Sequence, residues 1–371
     1  MQNELLIIGA GPAGISLAAR LSSYGIQFDW IEKSNTIAPL WYNNYDRLKM
    51  NTVKRYSNLP FLEMPVEYPK YVSSKQLVAY LEDYCNKFKI KPQFNSVAKL
   101  ITPKNNGYQV DINNESCWYK KVVLCGGLNN EFNEVKIKNQ ALYTGEIIHC
   151  RQYKNGSKYA GCNVLVIGMG NTGAEIALDL YELGAKPYIS IKEGVNIVPR
   201  DFLGRSIQES AILLNFLPDR VNYFISKIAQ RLFIGDLSKY GIPTPKLAPG
   251  EELKLLRRTP VLDTGTVAKI KEGKILIINQ VAEFTEHGIL TIDDRHLNFE
   301  AVIMATGYKT GLRKLMPDLI PYMNRNDYLD EFKIPPFPNL YFLGYLNALE
   351  GAFYRINIDS GIVAEDIKNN L

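Results

Sequence analysis

Two glycine fingerprints in one chain constrain the fold more than any other feature of this sequence. Leu5-Leu6-Ile7-Ile8 runs into Gly9-Ala10-Gly11-Pro12-Ala13-Gly14, and Val164-Leu165-Val166-Ile167 runs into Gly168-Met169-Gly170-Asn171-Thr172-Gly173. Each reads as an apolar strand, a Gly-x-Gly-x-x-Gly turn and a helix-like stretch, the setting in which a helix N-terminus receives the pyrophosphate of a dinucleotide. One copy alone would say little. Two copies, both with strand before and helix after, predict two dinucleotides on one polypeptide, most simply a flavin that does chemistry and a nicotinamide that reduces it. The expected cofactor contacts are Gly9, Gly11, Pro12, Ala13 and Gly14 at the first site, and Gly168, Gly170, Asn171, Thr172 and Gly173 at the second.

What separates the copies is the residue about twenty positions on, where a second strand meets the adenosine ribose. Phe28-Asp29-Trp30-Ile31-Glu32 puts a carboxylate there, suited to accept hydrogen bonds from the free ribose hydroxyls of FAD. Tyr188-Ile189-Ser190-Ile191-Lys192 instead supplies the Ser190 hydroxyl and the Lys192 ammonium, with Arg200 close behind, which suits the 2′-phosphate of NADPH. Glu193 works against this, because a carboxylate repels the same phosphate. The alternative is that Lys192 is a solvated surface lysine.

At 371 residues the chain exceeds one ordinary core and matches two nucleotide-binding domains. Its 43 basic and 38 acidic residues are interspersed, so the net charge of +5 lacks the basic footprint of a nucleic-acid binder. The five cysteines form no Cys-x-x-Cys pair and no metal-ligand spacing with the three histidines. A dithiol reductase is thereby disfavoured, and no metal is expected. No basic-then-apolar leader precedes the first strand and no apolar run reaches membrane-spanning length, so a reducing cytoplasm is the expected compartment. The partners expected are O₂ and a small-molecule substrate, and a homodimer is left open.

Along the chain, short apolar runs alternate with helical periodicity, as in Ser74 to Phe88, where Leu77, Tyr80, Leu81 and Tyr84 recur at helix spacing. The predicted class is α/β, with two Rossmann-like (three-layer ββα) dinucleotide-binding domains and the NADPH domain inserted into a discontinuous FAD domain. The expected boundaries are 1–155 for the first FAD part, 156–300 for the NADPH domain and 301–371 for the FAD return segment. Lys121-Val122-Val123-Leu124-Cys125 should end at the flavin edge at Gly126. Val302 to Ala305 should stop at Thr306-Gly307 and carry the chain back toward the flavin, and a last strand should end at Gly344. The apolar stretch 211–233 reads either as a membrane-surface or substrate-channel element or as a hairpin packed on its own domain; the few flanking cations favour the hairpin.

Tyr143-Thr144-Gly145-Glu146-Ile147-Ile148-His149-Cys150-Arg151-Gln152-Tyr153 resembles the signature of the flavin-containing monooxygenases, Phe-x-Gly-x-x-x-His-x-x-x-Tyr/Phe, with tyrosine in first place. The resemblance is closest to the YUCCA-type branch, plant enzymes that turn indole-3-pyruvate into indole-3-acetate. It is carried by Glu32-Lys33-Ser34 through Pro39-Leu40-Trp41, Tyr45-Asp46-Arg47-Leu48-Lys49, Val198-Pro199-Arg200, Thr259-Pro260-Val261-Leu262-Asp263 and Ala305-Thr306-Gly307-Tyr308-Lys309. It covers nearly the whole chain in order. The resemblance implies that NADPH reduces FAD, that O₂ adds at flavin C4a, and that the resulting hydroperoxide passes one oxygen atom to a small organic substrate. It adds Lys33, Leu40, Trp41 and Met50 to the expected cofactor contacts.

The resemblance also singles out Asn51, at the place where many members carry an asparagine near the reacting oxygen. Its amide could stabilise developing charge without supplying a stray proton. A turn asparagine is the alternative. His149 is expected to be structural. Gly344 is followed by Tyr345 rather than the aspartate typical of disulfide reductases. Nitrogen or sulfur oxygenation and oxidative decarboxylation of a 2-oxo acid both remain open, as do a flavoprotein reductase serving a protein or quinone and a flavin-binding sensor.

Overall fold

A computed structural model describes residues 4–370 apart from 203, 215, 325–328, 330–333 and 335. The chain forms two compact units, one of residues 1–42, 52–131 and 308–371, the other of residues 43–51 and 132–307. In the first unit, strand Leu5–Ile8 is apolar throughout because both faces and both edges are covered. It pairs in parallel with Asp29–Ile31 on one side and Lys121–Leu124 on the other, and Leu340–Phe342 extends the sheet beyond the latter.

One face of this sheet carries helix Pro12–Ser23, which has proline in its first turn, where no intrahelical N–H is needed. The closing helix Ala352–Asn369 lies against it, tied by Ser16 Oγ to Ser360 Oγ at 2.8 Å and by Arg20 to Asn357 at 2.9 Å. The other face is covered by an antiparallel sheet of Ala98–Lys104, Gly107–Ile112 and Glu115–Tyr119. Ile101, Tyr108, Val110 and Tyr119 of that sheet pack on Leu6, Val122, Leu124 and Phe342. This gives the three layers ββα. Helix Ser74–Phe88 forms over the span its periodicity predicts, opened by a reciprocal Ser73–Gln76 capping box.

The second unit repeats the plan with a five-stranded parallel sheet in the order Leu276–Ile278, Lys186–Ser190, Asn163–Ile167, Ala301–Met304, Glu146–His149. Helix Asn171–Glu182 follows the fingerprint strand. The meander Val281–Thr285, Gly288–Thr291, His296–Asn298 supplies the further layer, with Phe284 and Ile289 in one core with Leu165 and Val302. Among the described residues no helix is long and apolar enough to cross a membrane.

Three features differ from the sequence reading. Strand Ala301–Met304, expected in the return segment, is a central strand of the second sheet, paired on both edges, and its fully apolar run reflects burial of both faces. Strand Glu146–His149, assigned to the first part, pairs with it, so contacts change over near 131 and 307 rather than at 155 and 300. The stretch 211–233 folds as helices Ile207–Leu214 and Asp219–Phe233, yet the second exposes its apolar side instead of packing it.

Candidate functional site

The two fingerprints share one geometry. Gly9 and Gly168 have φ of +107° and +105°, which an L side chain rarely adopts. A Cβ on Gly14 would lie 2.0 Å from the Gly9 carbonyl oxygen, and one on Gly173 would lie 2.1 Å from that of Gly168. Only glycine lets strand and helix approach so closely. At the middle positions, Gly11 and Gly170, a Cβ would meet nothing within 4 Å. The protein leaves those positions open, and both serve as N-cap residues of the following helices, where backbone N–H groups point outward.

A groove of about 870 Å³ opens over the first fingerprint. Of the residues expected there, Gly9, Gly11, Pro12, Glu32, Lys33, Leu40, Trp41 and Gly126 line it, whereas Ala13 is buried in the helix behind and Gly14 sits against the turn. The Glu32 carboxylate is buried and accepts from the Ala10 N–H at 2.8 Å and from the Ser34 N–H and hydroxyl at 2.9 Å each. With three of roughly four acceptor positions filled, it is clamped in orientation and keeps capacity for a ribose hydroxyl. Lys33 Nζ donates to Asn130 Oδ1 at 2.6 Å. Gly344, at φ +81°, brings the chain against Ala13 and hands it to Tyr345, which the sequence reading left without a role. The buried Tyr345 hydroxyl accepts the Gly126 N–H at 3.1 Å, so this side chain fixes the loop at the groove wall. These residues fit an FAD adenosine and pyrophosphate: an open glycine, a helix N-terminus and an oriented buried carboxylate.

Past strand Lys186–Ser190 the second site presents different chemistry. Lys192 is exposed and Arg200 is half-buried. Ser190 is buried and donates to the Asn279 carbonyl at 3.1 Å, so its proton is committed. Glu193, the residue that counted against a phosphate, forms an ion pair with Arg258 at 2.7 Å. The adverse charge is thus largely answered, and the surroundings fit a 2′-phosphate. Asn171 is engaged elsewhere: its amide donates to the Pro260 carbonyl and accepts the Leu262 N–H at 2.7 Å, which staples helix Asn171–Glu182 to a neighbouring strand. Thr172 occupies the first turn of that helix. Thr306 and Gly307, expected among the cofactor contacts, follow strand Ala301–Met304 in the second unit and are not among the residues lining the first groove. Thr306 Oγ1 donates to the Asn133 carbonyl at 2.8 Å.

The nine residues 43–51 interrupt the first unit and belong by their contacts to the second. Asp46 N–H donates to the Lys154 carbonyl at 2.9 Å, Asn155 donates to Asp46 Oδ2 at 2.8 Å, and Arg47 pairs with Glu182. Met50 is buried within this segment. At its centre Tyr45 donates its hydroxyl to Glu175 Oε2 at 2.8 Å, and the Asn51 side chain is near enough to the same carboxylate to favour its charged form. Glu175 is buried, and burial pushes its carboxyl up, while Tyr45, the Arg47 and Arg200 guanidinium groups and Asn51 oppose that rise. An amide has two N–H donors and a carbonyl, so Asn51 can act on Glu175 and still have donor capacity for a ligand. The sequence alone does not single out Glu175, and Tyr45 enters there only through the resemblance. One signal was available: a carboxylate two residues beyond the third glycine, followed at helical spacing by Asp179 and Glu182.

His149 stacks on Phe132 with ring centroids 4.1 Å apart, and Arg151 lies 5.2 Å over the same Phe132 ring. Burial first, then the Arg151 charge, holds its imidazole below the ordinary range. It is a neutral packing element. Among the described residues no group of histidine, cysteine and carboxylate side chains could hold a metal, and all five cysteines are free thiols.

Residues 6–197 match the family model described as pyridine nucleotide-disulphide oxidoreductase. The chain is 33% identical to the probable indole-3-pyruvate monooxygenase YUCCA3 of Arabidopsis thaliana, over 99% of this chain and 87% of that one. It is 35% identical to the indole-3-pyruvate monooxygenase YUCCA8 of Oryza sativa subsp. indica, over 83% and 76%. Among solved structures it resembles a flavin-containing monooxygenase from Stenotrophomonas maltophilia (TM-score 0.74, 17% identity, covering 99% and 98%). An oxidized steroid monooxygenase bound to NADP is also similar (TM-score 0.76, 17% identity, covering 98% and 85%).

Proposed function

The chain belongs to the YUCCA-type branch of the flavin-containing monooxygenases and is an FAD- and NADPH-dependent monooxygenase, and we propose that its substrate is an aryl 2-oxo acid of the indole-3-pyruvate kind. The observation that carries the proposal is identity of 33–34% across 98–99% of the chain to relatives named for that substrate. Oxidative decarboxylation balances as follows: one oxygen atom enters the new carboxylate, the other leaves as water, NADPH supplies two electrons, and the former carboxylate departs as CO₂. A reductase of the dithiol type is not supported, since the chain has no close pair of cysteines.

Bound FAD supplies the oxygen activation, and the protein's own residues hold, shield and select. Glu32, oriented by Ala10 and Ser34, takes the adenosine ribose of FAD, while the open Gly11 admits its pyrophosphate. Gly170 does the same for NADPH, with Lys192 and Arg200 taking the 2′-phosphate. Asn51, beside Glu175, would offer an amide N–H to the bound cofactor, where a neutral dipole would stabilise developing negative charge without releasing a proton. The test is stoichiometry with indole-3-pyruvate. One NADPH and one O₂ consumed per CO₂ released is the expected result. Product formation from amines or sulfides with no CO₂ from the 2-oxo acid would move the enzyme to nitrogen or sulfur oxygenation.

A further inference from the structure

Helix Asp219–Phe233 is mounted inside out. At 100° per residue, Val221, Phe224, Ile225, Ile228 and Leu232 share an arc of about 100°. All five are exposed, Phe224 at 66% and Leu232 at 72%, and Phe216 in the preceding turn at 82%. The polar side is the one turned inward. Gln230 donates to Asn196 Oδ1 at 3.1 Å, and Asn222 donates to the Leu214 and Leu217 carbonyls at 3.2 Å each. A helix that needed only to stabilise its own domain would bury the apolar arc. This one is anchored by hydrogen bonds and leaves that arc to something else.

The charge pattern identifies the occupant. Arg220, Lys227 and Arg231 are exposed and fall within about 40° of one another along one edge of the apolar arc. The helix carries one acid, Asp219, which pairs with Lys254. A second copy of the chain would bring the same cations and no acidic edge to meet them. An anionic lipid surface offers hydrocarbon for the arc and phosphate for the edge. Fifteen residues span about 22 Å, short of a bilayer crossing, so the helix would lie in the plane of the headgroups.

We propose that helix Asp219–Phe233 docks the enzyme onto anionic membrane surfaces, its apolar arc entering the headgroup layer and its basic edge engaging lipid phosphates. The inference stands apart from the substrate assignment. Its test is flotation of the FAD-loaded holoenzyme with vesicles of phosphatidylcholine alone and of phosphatidylcholine mixed with phosphatidylglycerol. Binding to the mixed vesicles should exceed binding to the neutral ones by about tenfold or more and should fall as salt is raised. The pair Phe224→Glu and Ile228→Glu, and separately the triple Arg220→Glu, Lys227→Glu, Arg231→Glu, should each abolish flotation while keeping bound flavin and its reduction by NADPH. Absence of flotation, or flotation indifferent to both variants, overturns the proposal. So does a dimer seen by analytical ultracentrifugation that Phe224→Glu with Ile228→Glu dissolves, since a second copy would then cover the arc.

Discussion

The two nucleotide folds of this chain are near-replicas where they turn and differ where they discriminate. First glycines at φ +107° and +105°, third glycines where an added Cβ would fall 2.0 and 2.1 Å from a carbonyl oxygen, and open middle glycines show one backbone solution reached twice. Beyond the second strand one site offers a clamped, buried carboxylate and the other an exposed lysine whose acidic neighbour is paired off. The turn therefore says that a dinucleotide binds. The next strand end says which one.

The largest effects should come from breaking the replicas at their middle glycines. Because a Cβ at Gly11 or Gly170 meets no protein atom within 4 Å, each alanine variant should fold and lose only its ligand. Gly11→Ala is expected to purify colourless. Gly170→Ala should stay yellow but resist reduction by NADPH, and the opposite pattern in absorbance and stopped-flow traces would exchange the two assignments. Gly14→Ala and Gly173→Ala serve as contrast: they should cost about 3 kcal/mol or more in denaturant unfolding, since neither backbone can make room.

Next comes the discriminating strand end. NADPH should reduce the flavin much better than NADH, and Lys192→Ala should narrow that preference by about 1.5–3 kcal/mol, the value of a hydrogen bond to a charged group. Equal reduction by the two nucleotides in the unaltered enzyme would refute the phosphate assignment.

A smaller effect is expected at Asn51 and Glu175. Asn51→Ala should consume NADPH at an undiminished rate and divert it to hydrogen peroxide, because a less protected reaction centre releases it before oxygen transfer. Glu175→Gln should do the same more weakly, with flavin content and reduction rate retained, since it loosens the Asn51 amide without removing it. Peroxide release measured beside product yield decides both. Full coupling in Asn51→Ala would return that residue to an ordinary turn.

The smallest effect concerns pH. The His149 imidazole lies below its ordinary value of 6.5 because burial and Arg151 oppose its charge. Its contribution to stability is therefore full above that value and is lost as pH falls through the lower folded value. His149→Gln should flatten the acid limb of a thermal-melting profile without changing the neutral melting point much. An unaltered acid limb would show that His149 does not set it.

What the sequence determined by itself was local: two turns that only glycine can make, apolar strands ahead of them, the capped helix Ser74–Phe88, and the contrast between Glu32 and Lys192. Each rests on backbone sterics or on chemistry within a few residues. The tertiary structure decided what depends on distant partners. Strand Ala301–Met304 reads the same beside either sheet, and its pairing with Glu146–His149 settles the matter. Tyr45 and Asn51 lie more than a hundred residues of chain from Glu175, and come to it because segment 43–51 is held against helix Asn171–Glu182. The amphipathic pattern of 219–233 stated that one side was apolar but not which way it faced. That orientation came from Asn196, which gives the polar side a partner and so leaves the apolar side outward.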